Sequence, residues 1–329
     1  MKIEVGQVGV GHLGGHHCSV LAELPDAELV GIYDIDSEKS RRVARTHGVR
    51  AFSELHELLA QVQALIVAVP TRHHFDIAQA ALSNKVHVFV EKPITATVAE
   101  ADELIRLAEK ERLILQVGHI ERFNPAWQAL ASEKLNPMFI EAQRLASFNP
   151  RGTDVAVVLD LMIHDLDLIL SIVPGPAKRI DASGVSVVSP EIDIANVRIQ
   201  FESGCVANVT ASRISQKKMR KMRLFQKDAY ISVDFIRRFS EVFRLAKQPT
   251  TPKHDRIHSL EALINCSPRD QIIHERLVTE AQDPLKMELE AFLKSVASGE
   301  KPLVDGVTGK KVLELATEIM TIIEEQPQR

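Results

Sequence analysis

Short apolar runs recur from the start of the chain: Ile3, Val5 and Val8, then 29–32 about 20 residues on, then 64–69 (ALIVAV), 86–90 (VHVFV) and 114–118 (ILQVG). Between them lie stretches with helical spacing: the residues after Gly14, a segment from Ser37, taken as its cap, to Thr46, and the segments 74–82 and 97–111. Strand and helix in regular alternation predict a doubly wound parallel sheet with right-handed crossovers. The alternation stops near 118–124. Beyond it, 126–133 reads as helix, 138–147 as strand, and 154–173 as a long helix capped by Asp154 or Thr153 and closed by Pro174. Short period-2 runs follow between Arg179 and Arg244 (DASGVSVVS, DIANVRIQF, CVANVTASR, MRLFQ, YISVDF, EVFRLA), separated by turns such as Glu202-Ser203-Gly204 and Lys227-Asp228. They predict an antiparallel sheet. The stretch 248–284 is polar, carries Pro249, Pro252, Pro268 and Pro284, and reads as an extended excursion. Helices over 284–298 and 306–325 close the chain.

The expected class is therefore α/β. A Rossmann-type, doubly wound domain covers 1–120, and an α+β domain with a large, mostly antiparallel, open-faced sheet covers 121–329, the last helices being able to pack back on the first domain. A sheet with helices on one face leaves the other free, and a second copy of the chain is the usual cover, so a homo-oligomer (dimer or tetramer) is expected.

Composition narrows the partners. A chain of 329 residues exceeds one core, and 45% hydrophobic with 26% charged residues is ordinary for a protein with a full core. A net charge of −4 and a pI near 6.4 give no global attraction to polyanions, which argues against nucleic acid. MKIEVGQ lacks the apolar centre of a signal peptide, and no apolar run approaches the roughly 18 residues of a membrane span. Cys18, Cys205 and Cys266 are scattered with no CxxC pair, so they read as reduced thiols of a cytoplasmic protein, and no metal site is expected.

The first candidate chemistry is GVGHLG after the first strand. Gly9 permits a tight turn, Gly11 lets a diphosphate approach the backbone, and Gly14 lets the helix pack closely, with the helix N-terminus facing the anion. Asp34 ends the second strand, where a carboxylate accepts hydrogen bonds from both ribose hydroxyls and repels a 2′-phosphate. The cofactor is thus expected to be NAD rather than NADP. Lys92, in Glu91-Lys92-Pro93 beyond the strand VHVFV, is a candidate to hold a substrate hydroxyl; the alternative is a surface lysine. Pro93 leaves the 92–93 bond open to a cis form. On VVLDLMIHDLDLIL, Asp160, His164 and Asp167 share a helical stripe, making His164 a candidate acid/base oriented by Asp160; the alternative is a buried histidine satisfied by Asp160 or Asp167. Arg122 and Asn124 in GHIERFNP are substrate candidates, or the polar caps of a hinge. Val69-Pro70-Thr71-Arg72-His73-His74 ends another strand and is a candidate to line the nicotinamide side; the alternative is that His73 and His74 simply begin a helix. Arg213 and the run Lys217, Lys218, Arg220, Lys221, Arg223 are either a solvated face or a phosphate contact.

These residues resemble the Gfo/Idh/MocA family, which includes glucose–fructose oxidoreductase and inositol dehydrogenase, over nearly the whole chain. The resemblance rests on Gly9, Gly11 and Gly14, on Glu91-Lys92-Pro93, on the Asp-x-x-x-His pattern at Asp160 and His164, and on residues 287–315. Departures are Val155-Ala156 in place of the usual paired glycines, and Thr71 where asparagine is frequent. The resemblance implies an NAD-dependent oxidoreductase acting on CH–OH. It implies catalysis by Lys92, His164 and Asp160, a cofactor set of Gly9, Gly11, His12, Leu13, Gly14, Asp34, Val69, Pro70, Thr71, His74, Glu91 and Lys92, and a substrate set of Arg122, Asn124, Asp160, His164, Arg213 and Lys218. Within the family, GHIERFNP, DLMIHDLDL and ASRISQKKMRK are most similar to bacterial sugar-nucleotide 3-dehydrogenases of lipid A precursor synthesis. That implies oxidation of a UDP-linked N-acetylhexosamine such as UDP-GlcNAc at C3 and a partner aminotransferase. A free polyol such as an inositol is the alternative substrate, and a non-catalytic NAD-responsive protein the less favoured alternative role.

Overall fold

The computed structural model describes residues 2–149, 155–245, 272–279 and 282–326. The chain divides into two compact units, residues 1–120 with 282–314, and 121–281 with 315–329.

In the first unit the strands are β1 (Ile3–Val8), β2 (Ala27–Tyr33), β3 (Arg50–Ala51), β4 (Ala64–Val67), β5 (His87–Glu91) and β6 (Leu115–Gly118). The helices between them are α1 (His12–Glu23), α2 (Ser37–His47), α3 (Leu55–Leu59), α4 (His74–Ser83) and α5 (Val98–Glu111). The sheet runs β3-β2-β1-β4-β5-β6, parallel throughout, so the chain reverses its winding between β1 and β4. Ligands of such sheets bind at that reversal, beyond the carboxyl ends of the strands. Val5, Ile66 and Phe89 share one core with Leu289, Phe292 and Leu293 of a helix from the end of the chain. Thr97 caps α5 in a reciprocal box with Glu100. The cap of α2 is Asp36 and not Ser37: its carboxylate accepts from the Glu38 and Lys39 amides and, unlike a hydroxyl, brings negative charge to the helix start. The short β3 and α3 escaped the periodicity because two and five residues carry too little of it.

The Ile114 amide donates to His87 Nδ1 at 2.9 Å, a bond that only the neutral ring accepts, and burial lowers the His87 pKa. A folded pKa below the unfolded value of about 6.5 means that this contribution is complete above that pH and is lost as the pH falls through it. Urea melts are expected to show stability decreasing from about pH 7 to about pH 5.5, with a shallower decrease in His87→Asn, whose Oδ1 replaces the acceptor. Equal slopes in the two proteins would remove His87 from the explanation. His74 is also lowered by burial and contributes in the same direction in both proteins.

The second unit holds α6 (Pro125–Gln128), β7 (Phe139–Leu145), α7 (Ile163–Ile172), β8 (Ala177–Val185), β9 (Ile194–Phe201), β10 (Val206–Ser212), β11 (Met219–Gln226), β12 (Ala229–Asp234), β13 (Phe239–Leu245) and β14 (Ile272–Leu277). Two helices follow, α8 (Pro284–Ser298), which belongs to the first unit, and α9 (Gly306–Glu324), whose residues fall in both. The second sheet is ordered β14-β13-β12-β11-β7-β10-β9-β8, antiparallel except where β7 meets β10. Its inner face buries Ile140, Ala142, Val197, Val209, Met222, Leu224, Ile231 and Val233. On its other face a row of rings, Phe139, Phe225, Tyr230, Phe243 and His274, crosses five strands at centroid spacings of 5.8, 5.1, 5.5 and 4.3 Å.

Three expectations change here. The helix expected over 126–133 is only Pro125–Gln128, started by the Asn124 side chain on the Ala126 amide. The long helix expected from 154 begins with a π-type turn, Val158–Met162, before α7; Thr153 and Asp154 lie outside the described residues. The excursion 248–284 contains a strand, β14, whose hydrogen bonds come from β13 rather than from any pattern in IIHERL; most of the rest lies outside the described residues.

Candidate active site

The glycine turn is built from the backbone outward. Gly9 has φ of +78°, and a Cβ on it would lie 2.5 Å from the Ala68 carbonyl oxygen, so only glycine fits. A Cβ on Gly14 would collide with the Gly9 carbonyl, the close helix–strand contact expected of the third glycine. Gln7 Nε2 stiffens the turn by donating to the Val8 and Gly9 carbonyls at 3.1 and 2.9 Å. Gly11 is the N-cap of α1 with no side-chain cap, and the nearest atom to a Cβ there would be Lys39 Nζ at 3.8 Å, so space for an anion lies in front of the first amides. His12 and Leu13 are exposed on the first turn, the His12 ring meeting His16 edge-on.

Asp34 Oδ2 accepts from the Val10 amide at 2.7 Å and Oδ1 from the Asp36 amide at 2.9 Å. Each oxygen keeps a lone pair for a ribose hydroxyl, and the carboxylate is aimed by the glycine turn itself. Ile35, beside it, is 95% exposed, an apolar surface next to the ribose position that periodicity could not flag as anything but a strand end.

Beyond β4, Val69 and Thr71 are half-buried and Pro70 exposed. His74, expected among the cofactor contacts, is buried, with Nδ1 on the Pro93 carbonyl at 2.8 Å and Nε2 on the Val69 carbonyl at 2.9 Å. Its ring thus ties the chain after β4 to the chain after β5. The Lys92-Pro93 bond is cis, and Lys92 is half-buried at the tip of β5. Burial alone would push the Glu91 carboxyl up; the hydrogen bond and charge of His17 and the charge of Lys92 outweigh it and hold Glu91 below the usual carboxylate range.

In the second unit, Asp160 sits in the π-type turn and His164 in the first turn of α7, both half-buried. Asp167 is committed elsewhere: Arg122 grips it through Nε at 2.6 Å and Nη2 at 2.9 Å. Asp165 is gripped in the same forked way by Arg144, at 2.8 and 2.9 Å. Asp165 and Asp167 stand about 200° apart around α7, so the two clamps hold the helix from opposite sides. Arg122 and Asn124, expected as substrate candidates, are buried; Asn124 donates to Glu121 at 2.9 Å and to the Phe235 carbonyl at 3.2 Å. Asn124 Oδ1 also accepts from the Ala126 amide at 3.1 Å. Arg213 is buried, donating to the Val155 carbonyl and lying 3.7 Å from Asp193. Of the basic run, Lys221 and Arg223 pair with Asp234 and Glu141 at 3.4 and 3.1 Å, Arg220 lies 3.5 Å from Glu121, and Lys217 and Lys218 are exposed. Among the described residues no group of three or more His, Cys, Asp or Glu is placed to hold a metal, and no helix is long and apolar enough to cross a membrane.

Residues 3–119 match the family model described as "Oxidoreductase family, NAD-binding Rossmann fold", and 136–232 match the "GFO/IDH/MocA C-terminal domain". The chain belongs to the Gfo/Idh/MocA family. It is 35% identical to the UDP-N-acetylglucosamine 3-dehydrogenase of Acidithiobacillus ferrooxidans over 100% of both chains. A crystal structure of that enzyme superposes with a TM-score of 0.88 at 34% identity, covering 98% of each chain. The myo-inositol 2-dehydrogenase of Thermotoga maritima is 27% identical over 98% of this chain and 97% of its own. As a Gfo/Idh/MocA member the protein is an NAD-dependent oxidoreductase, and the glycine turn, the open first turn of α1 and the aimed Asp34 fit that cofactor. Sequence reasoning passed over His17 and Arg144. The signal for Arg144 was present: it follows Ile140 and Ala142 at period 2, on the face that β7 turns inward.

Proposed function

We propose that the protein oxidises the C3 hydroxyl of UDP-N-acetylglucosamine, or of a closely similar UDP-linked N-acetylhexosamine, to the 3-keto sugar nucleotide. The observation that carries this is identity to the Acidithiobacillus enzyme across the full length of both chains, which includes the substrate unit as well as the cofactor unit. Bound NAD supplies the acceptor for the hydride leaving C3. His164, oriented by Asp160, takes the hydroxyl proton, and Lys92 steadies the negative charge that develops on that oxygen. The backbone around Gly9, Gly11 and Gly14 holds the cofactor diphosphate, Asp34 its ribose, and Ile35 offers apolar surface to the adenine. Lys218 serves the substrate diphosphate. Arg122 holds α7, and Asn124 and Arg213 tie neighbouring segments of the same unit, instead of touching substrate.

Purified protein with NAD and UDP-N-acetylglucosamine is expected to form NADH and a 3-keto product, trapped with an aminotransferase because the oxidation is uphill without removal of the ketone. The competing reading, a free inositol as substrate, rests on the near full-length likeness to the Thermotoga enzyme. NADH from myo-inositol and none from the nucleotide sugar would replace the first reading with the second. An aminotransferase partner and a cytoplasmic location go with the first. A homo-oligomer through the open face of the second sheet is also part of this reading, with its aromatic row and the alternating Glu141 and Arg223 as the surface offered to a second copy. Sedimentation as a monomer would withdraw that element.

A further inference from the structure

His17 lies three residues past Gly14 on α1 and is 1% exposed. Its Nε2 stands 2.8 Å from Glu91 Oε1, and among the described residues its Nδ1 has no hydrogen-bond partner. The ring rests edge-on against Phe89, two residues before Glu91 on β5, at a centroid distance of 5.5 Å. Glu91 Oε2 in turn accepts from the Lys92 amide at 3.3 Å. The carboxylate has room because its neighbour across the sheet, Gly118, lacks a side chain: a Cβ there would lie 2.9 Å from Glu91 Oε2. A carboxylate only accepts, so Nε2 carries the proton in this bond.

We propose that His17 is a positioning residue for the oxidation: by holding Glu91 at the carboxyl end of β5, it fixes both the backbone and the counter-charge from which Lys92 reaches the substrate hydroxyl. This rests on the role given to Lys92 above. A carboxylate free at both oxygens would rotate into water and release the Lys92 amide; the half-buried Glu91, held at both oxygens, does not.

The test compares His17→Gln with His17→Asn in the full chain. The glutamine amide nitrogen reaches the Nε2 position, whereas that of asparagine stops near Nδ1. His17→Asn is expected to lower kcat on the order of 10²-fold, the effect of a displacement near 1 Å, with KM for NAD unchanged. His17→Gln is expected to restore most of the loss. Wild-type kcat in His17→Asn, or equal losses in both variants, would overturn the proposal. If His17→Asn does not fold, Glu91→Gln replaces it: a fall in kcat at constant KM for NAD supports the proposal, and an unchanged kcat ends it. Lys92→Ala separates the two readings. An inactive Lys92→Ala beside an active His17→Asn removes only this inference, while an active Lys92→Ala removes the role of Lys92 itself.

Discussion

Lys92→Ala is expected to lower kcat by about 10²–10⁴-fold while NAD binding stays at its wild-type strength. The loss corresponds to about 3–5 kcal/mol of transition-state stabilisation, the scale on which a positioned proton donor or charge acts on a developing alkoxide. The substitution leaves the fold intact for a local reason. The apolar burial of β5 comes from Val88, Phe89 and Val90, all at 0% exposure, whereas Lys92 lies past the strand end and is half-buried. NAD binding persists because the amides around Gly11 and the Asp34 carboxylate are fixed by backbone bonds that do not involve Lys92. Lys92→Arg is expected not to rescue, since a planar guanidinium replaces a compact ammonium on a different stem and never gives up its proton. The checks are initial rates of NADH formation with UDP-N-acetylglucosamine, and an NAD titration followed by protein fluorescence. Turnover at the wild-type rate would show that the reacting oxygen is steadied by some other group.

The first sheet and its glycine turn could be read from sequence because each depends on neighbours in the chain. Alternation marks the strands, and Gly9, Gly11 and Gly14 serve a turn only six residues long. Asp34 was readable for the same reason, although its two backbone donors were not. The readings that moved depend on distant partners. Asp167 was open to His164 on helix spacing alone, yet Arg122 takes it from 45 residues away. β14 exists because β13 supplies its hydrogen bonds, and His74 turned from a lining residue into a tie because two carbonyls converge on its ring. His17 is the sharpest case. The helix period sets His17, with Gly14, Cys18 and Leu21, on the buried face apart from the exposed His16, but its partner Glu91 is 74 residues on and no local pattern points to it.

Arg144→Ala is expected to be among the most damaging substitutions in the second unit, costing about 3–5 kcal/mol. The residue is 1% exposed and ties β7 to α7 and to the segments before α6 and after β12: Nη1 reaches Glu121 at 2.7 Å, Nε and Nη2 hold Asp165 at 2.8 and 2.9 Å, and the guanidinium lies 5.9 Å from the Phe235 ring centre. Burial is the dominant influence on Asp165 and pushes its pKa up even with Arg144 in place. Without the guanidinium that carboxyl must either take up a proton or stay charged in a dry site, and both cost stability. Glu121 fares better, because it keeps the Asn124 amide at 2.9 Å and Arg220 at 3.5 Å. The penalty therefore comes mainly from Asp165, which suggests a remedy: Arg144→Met together with Asp165→Leu removes the stranded carboxyl and fills the space with carbon. Urea melts should show the double variant recovering much of what Arg144→Ala loses, and the two sites departing from additivity in a mutant cycle. Because Asp165 directly follows His164, Arg144→Ala should also reduce turnover in the fraction that stays folded, through a less constrained α7. If the double variant melted at the same urea concentration as Arg144→Ala, the cost would lie in lost packing under Phe235 rather than in an unpaired buried charge, and the clamp would have to be read as a shape rather than an ion pair.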